Sequence, residues 1–120
     1  MTHYKIKEHQ LHVYLRGEIK IRKMRELFAE IASDPTFHCD LTQFWHTQGC
    51  NCETLPSNTL VDLARSTTTD TPTPTAVVAF IAESDLHFGL CRVYSAWADE
   101  DARSLGVFRT EEEAKRWARV

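Results

Sequence analysis

The chain has 120 residues, 42% hydrophobic and 26% charged, with a net charge of −3. That length supports one core and a single domain over 1–120. The slight acidity gives no electrostatic footprint for nucleic acid, and no apolar run approaches the ~18 residues of a transmembrane helix. MTHYKIKEHQ lacks the apolar core of a leader peptide, so the expected location is cytoplasmic.

Residues 3–9 and 11–16 read as a hairpin. Leu11, Val13 and Leu15 alternate with His12, Tyr14 and Arg16, the period of a half-buried strand, and Gly17 ends it. From Lys20 to Ser33 the apolar residues Ile21, Met24, Leu27, Phe28 and Ile31 recur at helical spacing, with Lys20, Arg22, Lys23 and Arg25 facing water. Asp34-Pro35 stops this helix. Phe37 to Leu41 is expected as a short third strand, followed by a loop from Thr42 to Glu53 that carries Phe44 and Trp45. A helix starts near Thr54, an N-cap residue with Pro56 in the first turn. The Thr/Pro-rich stretch 66–75 reads as a surface connection.

Thr75 to Ala82 reads as a buried strand, Ser84 to Ala98 as a helix, Gly106 to Arg109 as a strand and Thr110 to Val120 as a closing helix. Thr110 and Glu113 form a T-x-x-E capping box, and Glu111 to Glu113 sit at the positive end of that helix's dipole. The fold class is therefore α/β, in the order β-β-α-β-α-β-α-β-α. It has a mostly parallel mixed sheet of about five strands, four helices and an antiparallel first strand at the edge.

The order of elements resembles the STAS fold of bacterial anti-sigma-factor antagonists, and more closely the SpoIIAA-like proteins of unassigned role. The resemblance spans nearly the whole chain. It rests on Gly17, on Asp40, on Gly89-Leu90-Cys91-Arg92-Val93-Tyr94, on Val107-Phe108-Arg109, and on Glu113-Ala114 with Trp117. It implies a non-enzymatic regulatory module that binds a protein partner. In true antagonists a serine or threonine opening the helix after the third strand is phosphorylated. The matching turn here, Glu53-Thr54-Leu55-Pro56-Ser57, lacks the motif's glycine and offers Thr54 and Ser57 as the nearest phosphorylation candidates. Because the fold is related to lipid-carrying domains, the alternative is a carrier or sensor of a small apolar or acidic ligand.

Ligands of open parallel sheets bind beyond the carboxyl ends of the strands. On the expected strand bounds, that rule gathers Asp40, Thr42, Phe44, Trp45, His46, Glu83, Ser84, Asp85, His87 and Arg92, with Tyr94 on the same helix. Arg92 oriented by Asp40 can hold an anion, Trp45 can line a pocket or anchor a partner, and His46 or His87 can serve acid–base chemistry. No nucleophile–base–orienter set forms among them, and the isolated glycines Gly17, Gly49, Gly89 and Gly106 exclude a phosphate cradle. Cys39, Cys50, Cys52 and Cys91 do not follow zinc spacing, even with His38 and His46 nearby. No metal, cofactor or nucleic-acid partner is expected, and a homodimer is the base-rate oligomer.

Overall fold

The computed structural model describes residues 3–18, 20–38, 40–51, 77–98 and 105–120. Strands β1 (His3–Lys7) and β2 (Gln10–Glu18) pair antiparallel, with Lys7 opposite Gln10. The two residues between them, Glu8 and His9, have φ of 52° and 66°. Two positive φ values in a two-residue loop match the right-handed twist of the strands they join. The hairpin forms as the sequence predicts, but β1 ends at Lys7, the loop is Glu8–His9 and β2 runs from Gln10 through Gly17 (φ 77°) to Glu18.

Helix α1 (Ile21–Ser33) turns Met24, Leu27, Phe28 and Ile31 into the core. Its carboxyl end is tied to the sheet edge by Asp34, which accepts hydrogen bonds from the Tyr4 hydroxyl (2.8 Å) and from the Thr36 amide (2.8 Å). The bond to Asp34 pushes the Tyr4 hydroxyl up to about 12.

The third strand corrects the sequence reading. Phe37, His38, Asp40 and Leu41 do not lie in a strand: the Phe37 amide donates to the Asp34 carbonyl and the Leu41 amide to that of His38, so these bonds close locally. Strand β3 is Thr42–Asn51, the stretch expected to be a loop. It lies between β2 and β4, with Phe44 and Trp45 both buried. A strand covered on both faces loses the alternation that marks a half-buried one. Its polar residues Thr42, Gln43, His46, Thr47 and Gln48 completed the disguise.

Strand β4 (Val78–Ile81), helix α2 (Asp85–Ala98), strand β5 (Leu105–Phe108) and helix α3 (Glu111–Ala118) follow close to their expected bounds. Ser84 caps α2 by accepting from the His87 amide (3.0 Å), and Thr110 caps α3 by accepting from the Glu113 amide (3.2 Å). The expected helix near Thr54, the 66–75 connection, Cys39, Cys52 and both phosphorylation candidates lie outside the described residues.

One sheet results, in the order β1-β2-β3-β4-β5, antiparallel only at β1. The β2-α1-β3 and β4-α2-β5 units step the same way across it. Right-handed crossovers in one direction put their helices on one face. Accordingly α1 and α2 share a core with Leu11, Val13, Leu15, Trp45, Val78 and Phe80. Helix α3 follows the last strand and packs on the other face, where Ala114 meets Phe44, Ala79 and Ile81. No described helix is long and apolar enough to cross a membrane.

Candidate functional site

The corrected bounds of β3 rearrange the expected site. Asp40 and Thr42 lie at the amino end of β3, not beyond its carboxyl end. Asp40 pairs with His9 at 3.6 Å, both exposed, and among the described residues no ion pair joins it to Arg92. Arg92 is exposed on α2. Trp45 is a core residue, edge-on to Phe28 at 5.7 Å, with its indole N–H donating to Gln43 (3.0 Å). Tyr94 also packs on the core, edge-on to Phe80.

At the true carboxyl ends, Arg109 joins β5 to the start of α2. It pairs with Asp85 at 2.8 Å, donates to the Glu83 carbonyl at 3.1 Å and lies over the Phe88 ring. His87 stands 3.9 Å from Cys50. Of the sequence candidates, Glu83, Ser84, Asp85 and His87 lie at this rim.

His46 belongs to a different constellation. On the face that α3 shares, His12 and Tyr14 of β2 stand beside Phe44 and His46 of β3. The register opposes His12 to Phe44 and Tyr14 to His46, so the two histidines are diagonal neighbours. Their rings stack: Tyr14 on His46 at 4.4 Å, His12 on Phe44 at 4.9 Å, and His12 on His46 at 5.3 Å. Just after His46 the register with β2 shifts, and the bulge turns Cys50 to the opposite face. Gly49 sits in that bulge because a Cβ there would lie 2.9 Å from the Leu15 carbonyl.

Glu111, in the first turn of α3, completes the cluster. Its Oε1 is 3.5 Å from His46 Nε2 and 3.7 Å from His12 Nδ1, and those two nitrogens are 3.0 Å apart. The histidine side chains are only 10–12% exposed and that of Glu111 44%. Gln10 fixes the tautomer of His12. Its amide oxygen, 2.9 Å from Nε2, only accepts, so Nε2 carries the hydrogen and Nδ1 presents a lone pair. The short contact is then an N–H of His46 donating to Nδ1 of His12. Burial pushes His46 down to about 4 and His12 in the same direction. Glu111 opposes the shift in both; Lys115 and Lys5 add to it, as does His12 for His46. Both rings are neutral at pH 7.

Sequence reasoning found His46 but not its partners. The alternation in β2 did place His12 and Tyr14 opposite the Leu11–Leu15 face. Glu111 read only as a charge suited to a helix start.

Comparison with protein-family models and with curated proteins finds no match. Among solved structures, an uncharacterized protein of the DUF3478 family with a SpoIIAA-like fold, from Shewanella loihica PV-4, is similar at a TM-score of 0.56 and 12% identity. The match covers 98% of this chain and 92% of that one. At such identity the likeness is one of architecture alone: this chain has a SpoIIAA-like α/β fold.

Proposed function

We propose that this protein is a non-enzymatic binding module of regulatory type whose ligand sits at the His12–His46–Glu111 cluster. The observation that supports it is the convergence of two imidazole nitrogens and a carboxylate oxygen within 3.7 Å of one another on a sheet face. Buried polar groups are ordinarily satisfied by hydrogen bonds; three ligating atoms gathered at one point also suit recognition. A catalytic base works best with a pKa near the working pH. His46, held at about 4, is far from that, so acid–base catalysis is the weaker reading. Recognition of a protein partner, implied by the resemblance, is the step such a ligand would control. The alternative carrier pocket needs the helix near Thr54 as a wall and draws no support from the described residues.

Native mass spectrometry of gently purified, untagged protein tests this beside H46Q and E111Q. The expected result is a fixed extra mass on the parent protein, lost on denaturation and reduced in both variants. No extra mass, or the same mass on all three proteins, would sink the reading.

A further inference from the structure

We infer that His12 Nδ1, His46 Nε2 and Glu111 Oε1 are the ligands of a divalent transition-metal ion of the zinc class. The inference rests on the reading that this cluster is the ligand site, and it supplies the chemistry of the ligand.

Geometry comes first. The three donor atoms form a triangle with sides of 3.0, 3.5 and 3.7 Å. A tetrahedral ion with bonds of about 2.1 Å spaces its ligands about 3.4 Å apart. An ion therefore reaches all three atoms with the side chains nearly where they stand. The donor types agree: imidazole nitrogen favours zinc, copper, nickel and iron, whereas magnesium and calcium prefer all-oxygen shells. Two histidines and a glutamate leave a fourth position for water or an incoming group.

Orientation comes second. The site is built on adjacent parallel strands, so the backbone holds both rings in place. Ring stacking on Tyr14 and Phe44 further limits their rotation. Gln10 accepts the Nε2 hydrogen of His12 and aims the Nδ1 lone pair into the triangle. A hydrogen-bond acceptor behind a coordinating histidine is the usual outer support of such a site. Lys115 approaches the other carboxylate oxygen of Glu111, Oε2, at 4.0 Å and leaves Oε1 to the imidazoles. Lys115 and Lys5 are also the cations facing the cluster, and they lower its affinity for a dication. Binding displaces the hydrogen between the two rings. His46 carries it on Nδ1 instead of Nε2, so the change is one of tautomer, with no net proton released.

The test uses untagged protein freed of metal by a chelator and titrated with zinc chloride, read by long-range proton–nitrogen spectra of the histidine rings. One equivalent should saturate the signals, with zinc on His12 Nδ1 and His46 Nε2 and the His46 hydrogen on Nδ1. E111Q, at a half-exposed helix position that tolerates the change, should weaken zinc at least tenfold. Q10A keeps all three ligand atoms and should weaken it about 10- to 100-fold. Zinc that perturbs His9, His38 or His87 while His12 and His46 stay unchanged would overturn the inference. So would E111Q and Q10A with the parent affinity, or no binding at micromolar zinc. If zinc fails while native mass spectrometry still finds a larger mass that H46Q removes, the metal falls and the ligand site stands.

Discussion

His46 carries the chemistry of the cluster and also makes the fold sensitive to acid. In the unfolded chain its imidazole titrates near 6.5, whereas in the folded chain burial holds it at about 4. Between those values the unfolded state binds more protons, so stability is complete above pH 6.5 and falls as the pH drops towards 4. Unscreened, the loss through His46 would be roughly 3 kcal/mol by pH 4, and its remaining contact with solvent reduces that to on the order of 2 kcal/mol; His12 moves in the same direction. Urea unfolding of metal-free protein between pH 7 and pH 4 measures it. H46Q should show a visibly flatter decline; parallel curves for the two proteins would refute the burial argument. The Leu11–Leu15 alternation revealed which face His12 occupies. Nothing in the local sequence revealed the partner 34 residues away, because a strand register is set by pairing across the sheet.

At the scale of elements, the first and last described helices differ in how their ends are finished. Helix α1 begins at Lys20 without a side-chain cap and with no acidic residue in its first turn. Arg22 and Lys23 instead stand beside the positive end of its dipole. Replacing Lys20 with Ser or Asp should stabilise the protein by about 1 kcal/mol. Helix α3 is well capped at its start, but it ends on Arg119 in the left-handed region at φ 61°, with its amide bonded back to Arg116. Arg119→Gly relieves that conformation and should add about 0.5–1 kcal/mol. Denaturant midpoints check both, and a fall in either variant would refute the argument. The α3 cap was legible because a capping box depends on residues three apart. The β3 strand was not, because burial on both faces erases the two-residue period.

At the scale of the whole molecule, the described residues cover the two sheet faces unequally. Helices α1 and α2 cover one face with a broad apolar core, whereas on the other α3 contributes a single fully buried residue, Ala114. Gly106 lets the Trp117 ring lie against Phe108 at 5.0 Å, because a Cβ there would meet both rings. Trp117 nonetheless stays 39% exposed. An element with so little buried surface opens ahead of the global unfolding. Hydrogen exchange should therefore find α3 amides less protected than those of β2, β3 and β4, and zinc should narrow the gap by tying Glu111 to both strands. Equal protection in the metal-free protein would show that α3 opens only with the core.

The sequence by itself determined the α/β class, the opening hairpin, the first helix and the closing strand–helix–strand–helix. Each of these depends on local periodicity, caps and turns, which a short window of residues carries. Tertiary structure decided the place of β3, the split of the helices between two faces and the meeting of His12, His46 and Glu111. Those follow from strand register and crossover direction, which relate residues far apart in the chain and leave no mark on their neighbours.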